Sequence, residues 1–214
     1  MRGQSSNRLP TGAINRFKLC MMAGRPQIFD EQEVLNKATA LFWSRGYEAT
    51  SMEDLLGAMG MGKSSFYNAF GSKRELYEKL IECSVNEAIV QLRKELETSD
   101  QPIERIRDFF RSIATSPLAL HQKGCFMGNT LVELTNIDKG LKMKAAKKLE
   151  QLEQLFLKHI RIASQTGELR SRTDPVTLAR YLLTLWNGLN ITRRMYPDPE
   201  QLRPLIELQL ELLK

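Results

Sequence analysis

Gly57 to Ser64 reads GAMGMGKS. This is a literal match to G-x-x-x-x-G-K-[ST], the loop whose backbone amides cradle nucleotide phosphates and whose lysine reaches the terminal ones. On that reading the chain is a P-loop nucleotide hydrolase. The chemistry also needs a buried strand feeding the loop and an apolar run ending in Asp to hold magnesium. Neither is present. Ser51 to Gly57 carries a helical stripe and two acids, Glu53 and Asp54, where a core strand is apolar. The same glycines serve equally as the turn between two helices, with Gly62 opening the second. Between Leu55 and Arg74 there are three bases, Lys63, Lys73 and Arg74, and no acid, although residues 24–82 hold more acids than bases. Positive charge is thus focused on one short element. There Phe66 and Phe70 turn inward and leave Lys63, Ser64, Ser65, Tyr67 and Asn68 on the open face. Their donors and acceptors suit base edges and phosphates.

Helical periodicity predicts the elements that hold this face. Val34, Leu35, Ala38, Leu41 and Phe42 recur at 3.6 residues behind an Asp30/Glu33 capping box, and Arg45-Gly46 ends that first helix. Thr50-Ser51-Met52-Glu53 repeats the capping-box spacing before a second helix of about eight residues, with Met52, Leu55, Leu56 and Met59 on one face. A third runs from Lys63 to about Phe70 and closes at Gly71, so residues of about 50–70 form a helix-turn-helix. One long helix from Ser72 to about Leu96 follows, with its stripe in Leu76, Leu80, Val85, Ala88, Ile89, Leu92 and Leu96. At 1.5 Å per residue it spans roughly 37 Å and connects two cores. Further helical stretches fall at about 102–115, 128–136, 138–166, 175–194 and 199–213, and no strand alternation occurs. The fold class is all-α.

The ungapped stretch AGRPQIFDEQEVLNKATALFWSRGYEATSMEDLLGAMGMGKSSFYNAFGSKRELYEKLIE resembles the N-terminal DNA-binding domain of the TetR/AcrR family of transcriptional regulators. Its most specific parts are F-x-x-x-G-Y-x-x-T (Phe42, Gly46, Tyr47, Thr50) and the segment Ser65 to Leu76. The sequence departs from the family at Gly62, where Ser is more usual. The resemblance implies that Tyr67 and Lys73 contact phosphates and that Thr50 meets the DNA backbone at the start of the second helix. It also implies that Lys63, Ser64, Ser65 and Asn68 face the major groove, with Arg25 reaching a groove or backbone. Lys123 to Leu134 resembles a G-C-h-h-x-N-x-x-x-E-L stretch (h, apolar) of one group of these regulators. Membership implies a repressor on a palindromic double-stranded operator, released by a small-molecule effector and acting as a homodimer.

The domain expectation is therefore a basic, disordered tail over 1–23, a DNA-binding domain over 24–82, and a regulatory and dimerisation domain over 83–214. Phe109, Ile113, Cys125, Phe126, Met127, Asn129, Trp186, Asn187 and Asn190 are the expected effector-pocket residues, because apolar walls with a few polar anchors describe most such sites. Cys125 is read either as a buried structural thiol or as a sensor of electrophiles or oxidants. Apolar residues on more than one face of 176–191 and of the last stretch predict a second partner surface. At 214 residues, 42% hydrophobic and 26% charged, the chain is globular, and a net charge of +6 favours a polyanionic partner. Cys20, Cys83 and Cys125 are odd in number with no C-x-x-C pair, which predicts neither disulfides nor a zinc site and points to a reducing cytoplasm. His121 and His159 are isolated. No metal, cofactor, enzymatic activity or membrane span is expected. A helical protein-interaction module with an incidental basic patch stands as the remaining alternative.

Overall fold

The structure is a computed structural model describing residues 30–84 and 86–214; Arg25 and the tail over 1–23 lie outside the described residues. Side-chain caps set the first elements. Asp30 accepts the N–H of Gln32 and Glu33 to start α1 (Glu31–Arg45). Ser51 and Asp54 exchange a full capping box at the head of α2 (Met52–Met59), one residue later than the Thr50 start read from the sequence. Two features shift the box: the Thr50 hydroxyl is already bound to the Gly46 carbonyl, and Asp54 reaches back to the Ser51 amide. Gly60, in left-handed conformation, closes α2, and α3 (Lys63–Phe70) begins at Gly62 with no side-chain cap.

The long connector is two helices, α4 (Lys73–Cys83) and α5 (Glu87–Thr98). The expected continuous helix fails because Ser84 and Asn86 offer the backbone better local partners. The Ser84 hydroxyl donates to Ile81, and the Asn86 side chain accepts from Ala88 and Ile89 as a new N-cap. The second half then runs α6 (Pro102–Ala114), α7 (Leu118–Lys123), α8 (Phe126–Leu134), α9 (Lys139–Thr166), α10 (Pro175–Met195) and α11 (Pro199–Leu210), ending in a 3₁₀ turn at Glu211–Leu213. Among the described residues there is no strand. The short α7 went unread because six residues with Leu118 and Leu120 exposed carry no amphipathic stripe.

Helix α9 is the spine, packed against α4, α5, α6, α8 and α10. Phe109, Phe110, Phe156 and Trp186 stack where α6, α9 and α10 meet. Most of the apolar excess of α10 is satisfied within the chain: Leu178, Leu182, Leu185, Trp186 and Leu189 are buried, and the Tyr181 hydroxyl donates to the Gln209 carbonyl. In this C-terminal part the open apolar side chains are Ile191 and Met195 at the end of α10, Leu205 and Leu208 of α11, and Leu212 of the 3₁₀ turn.

Candidate nucleic-acid interface and its coupled cavity

Phe66 and Phe70 anchor α3 in the small core, so Lys63, Ser64, Ser65, Tyr67 and Asn68 all stand exposed on its other face. The first-turn amides of α3 have no side-chain cap, and no acid sits in that turn, so its positive end is open to an anion. Lys73, at the start of α4, holds its ammonium 4.4 Å from the centre of the Tyr47 ring. Thr50 does not join this surface: it is completely buried, and its hydroxyl donates to the Gly46 carbonyl at 2.6 Å. The exposed hydroxyl at the head of α2 belongs to Ser51. Arg74 is also withdrawn, held by Asp138 and Glu78. The phosphate-cradle reading ends here, because Gly57 lies within α2 and the amides of Gly60 and Met61 donate to the Gly57 and Leu56 carbonyls.

This small bundle is bolted to the second half by α8 and α9. The Glu133 carboxylate accepts the backbone N–H of Tyr47 at 3.0 Å and of Glu48 at 2.9 Å. Gly46 makes the approach feasible: its φ is +90°, and a Cβ there would stand 2.8 Å from the Glu133 Oε1. One turn earlier on α8, Thr130 shares a 2.7 Å hydrogen bond with the Tyr77 hydroxyl, whose ionisation is pushed up by burial. Arg74 grips Asp138 through Nε and Nη2. The Lys123 carbonyl gathers three donors, Trp43 Nε1 at 2.9 Å, Asn129 Nδ2 at 3.0 Å and Arg194 Nη2 at 2.7 Å, from three different helices.

The opposite end of α8 borders a cavity of about 210 Å³. Cys125, Phe126 and Met127 line it together with Trp186 of α10, Arg93 of α5, Lys148 of α9, and Thr39 and Trp43 of α1. One helix therefore touches the cavity at its start and the α1–α2 turn at its end.

Two family models match the chain. "Bacterial regulatory proteins, tetR family" covers residues 34–80, and "Tetracyclin repressor-like, C-terminal domain" covers residues 102–207. The chain belongs to the TetR family of transcriptional regulators. Among its relatives, an uncharacterised helix-turn-helix regulator of Bacillus subtilis, YezE, is 29% identical over 192 residues, covering 89% of this chain and 99% of that protein. The Escherichia coli repressor ComR is 29% identical over 195 residues, covering 88% and 91%. A cysteine-substituted form of the regulator CifR, solved with 26-bp operator DNA, superposes with a TM-score of 0.74 at 25% identity over 89% of this chain and 100% of that one.

Within this TetR-family chain the cavity takes up only part of the expected ligand set. Cys125, Phe126, Met127 and Trp186 line it. Phe109 stacks on Trp186 at 5.3 Å, and Ile113 is buried with its carbonyl held by His121. Asn129 is engaged at the Lys123 carbonyl and with Arg194, and Asn190 bridges the Trp186 carbonyl and Arg193 inside the core. Asn187 is half-buried beside Gly128 and does not border the cavity. The lining residues that the sequence reading missed, Thr39 and Trp43 above all, belong to the DNA-binding half, and nothing in a one-dimensional pattern places them opposite α8 and α10. Cys125 is buried, its Sγ accepts the Gly128 N–H at 3.4 Å as the cap of α8, and burial pushes its thiol up. The thiolate needed by a reactive cysteine is thereby disfavoured. His121 and His159 are both core residues.

Two outcomes follow for the contact between the halves. Glu133→Ala leaves the Tyr47 and Glu48 amides without their charged acceptor and should cost about 1.5–3 kcal/mol by urea unfolding, with faster amide exchange at both residues. Unchanged exchange there would refute the clamp. Arg74 holds the Asp138 carboxyl below its ordinary range, with the Leu141 amide helping. The pair's contribution is present above the unfolded titration near ~3.9 and is lost as pH falls through the depressed folded value. The stability difference between the wild type and Arg74→Met should therefore be full at pH 6 and shrink below about pH 4; a difference independent of pH would show that the pair contributes nothing.

Proposed function

We propose that this chain is a homodimeric repressor that reads a palindromic operator in double-stranded DNA through α3 and leaves it when a small molecule fills the cavity beside α8. The observation that carries this reading is the exposed row Lys63, Ser64, Ser65, Tyr67 and Asn68 at the uncapped head of α3, flanked by Lys73 and free of acids from Leu55 to Arg74. Lys63, Lys73 and Tyr67 would hold phosphates, and Ser64, Ser65 and Asn68 would meet base edges in the major groove. The withdrawal of Thr50 leaves Ser51 to supply the hydroxyl at the α2 head. Family membership supports the reading, as does operator DNA bound to CifR, a protein of the same fold. Residues 24–82 would form the reading unit and 83–214 the regulatory unit. The protein would work in the cytoplasm, as a binder and not as an enzyme.

Release would pass along α8. A molecule that packs against Phe126 and Met127 better than the empty cavity does would favour a shifted α8, and Glu133 and Thr130 would carry Tyr47, Glu48 and Tyr77 with it. In a dimer two copies of α3 must sit about one DNA turn apart, roughly 34–36 Å, so a small tilt of each reading unit breaks the match. The open apolar side chains Leu205 and Leu208 of α11 and Leu212 of the 3₁₀ turn, with Ile191 and Met195 of α10, would supply the partner face.

Selection of bound duplexes from a random library should return a two-fold symmetric sequence. Tyr67→Ala should weaken its binding at least tenfold with the helical circular dichroism unchanged. Lys63→Ala should lower the slope of log affinity against log salt by about 0.9. A pool with no symmetric site would reject the proposal. Light scattering should give twice the chain mass, falling to one chain in Leu208→Arg; a wild-type monomer at micromolar concentration would remove the dimer.

A further inference from the structure

The lining of the cavity carries a charge pattern that selects among effectors. Its walls are apolar, from Trp43, Val90, Phe126, Met127, Leu152 and Trp186. Its charged members are two cations, Arg93 of α5 and Lys148 of α9, and no carboxylate stands among the described lining residues. Arg93 makes no ion pair among the described residues. Lys148 directs one N–H to the Glu82 carbonyl oxygen at 2.7 Å, which leaves two of its three donors. Burial holds its ammonium below the usual lysine range, and Glu82, whose own carboxylate is taken by Lys144, only partly opposes this. A partly desolvated ammonium that no carboxylate pairs with directly is costly, and a ligand that brings an anion to Lys148, with the exposed Arg93 beside it, recovers part of that cost. A cationic ligand meets repulsion at the same place, and a neutral one leaves the deficit as it was.

Size narrows the class further. A dry apolar cavity of about 150 Å³ holds benzene. The 210 Å³ here takes one ring, or a short branched chain, plus a small polar group. We propose that the effector is a small carboxylate with a single apolar ring or branched chain, its carboxylate between Arg93 and Lys148 and its apolar body against Trp43, Phe126 and Trp186. This rests on the reading of the cavity as the effector site. It makes the trigger a charge-pairing event at α5 and α9, set beside α1 of the reading unit.

The protein's two tryptophans, Trp43 and Trp186, both line the cavity, so intrinsic fluorescence reports on it directly. Full-length protein is titrated with benzoate, phenylacetate and isovalerate, and in parallel with benzamide and benzyl alcohol. The expected result is saturable quenching by at least one carboxylate with a dissociation constant of ~1 mM or tighter and binding of its neutral counterpart at least tenfold weaker. Arg93→Gln, on the exposed side of α5, should erase most of that preference, and Lys148→Met should do the same if it folds. Equal affinity for acid and amide, no saturable response to any carboxylate, or an unchanged preference in Arg93→Gln overturns the proposal. Binding of the selected operator is measured on the same preparations without ligand. DNA binding with no carboxylate response refutes the ligand class and leaves the repressor intact, whereas carboxylate binding without operator binding upholds the ligand class and refutes the repressor.

Discussion

Two backbone amides at the tip of the α1–α2 turn, those of Tyr47 and Glu48, point at one carboxylate, Glu133, that belongs to the other half of the molecule. Hydrogen bonds to a charged acceptor are among the stronger polar contacts available to a protein. This pair joins a rigid turn to a rigid helix, with no flexible lysine or arginine stem between them. The position of α3 depends on it, because Phe42 of α1, Leu55 of α2 and Phe66 of α3 are all buried in the one apolar core that continues into the second half. Whatever moves Glu133 moves the face that would read DNA. Gly46 is the condition for this contact: a side chain there would meet the carboxylate and would also have to adopt a positive φ.

The remaining contacts between the halves reinforce the same axis. Tyr77 and Thr130 add a buried hydrogen bond one turn earlier on α8, and Arg74 ties α4 to the start of α9 through Asp138. The interruption at Ser84–Asn86 matters for the same reason. A single stiff helix would have coupled the reading unit to the second core only along its own axis. Two helices with a capped joint leave α4 with the reading unit and set α5 beside the cavity, so α8 and α9 carry the main contacts between the halves.

The DNA-reading half was largely legible in the sequence. Its signals are local: a side-chain cap, a glycine stop and apolar residues at i and i+4 place α1, α2 and α3 within a residue of where they fold, and the outward row on α3 follows from Phe66 and Phe70 turning inward. The errors there have local causes too. Thr50 and Ser51 are both hydroxyl residues at a helix head, and spacing alone does not say which one caps and which one turns inward to Gly46. Asn86 between two apolar stretches reads as a tolerated polar residue until its side chain is seen accepting from Ala88 and Ile89.

The regulatory half was legible as helices but not as a site. Phe109, Ile113 and Asn190 are as apolar or as amide-bearing as any pocket residue, and only packing shows that the first two are core and that Asn190 bridges the Trp186 carbonyl and the Arg193 Nη2. Trp43 and Thr39 lie more than eighty residues from Cys125 in sequence and meet it across one cavity, and Arg93 and Lys148 stand on separate helices as ordinary surface cations until the chain closes round them. The sequence by itself determined the all-α class, the helix-turn-helix and the side of α3 that faces outward, because caps, turns and periodicity act over fewer than eight residues. Tertiary structure alone decided which carboxylate grips the turn, which cations border the cavity and where the connector breaks, because those depend on groups that are distant in sequence and adjacent only after packing.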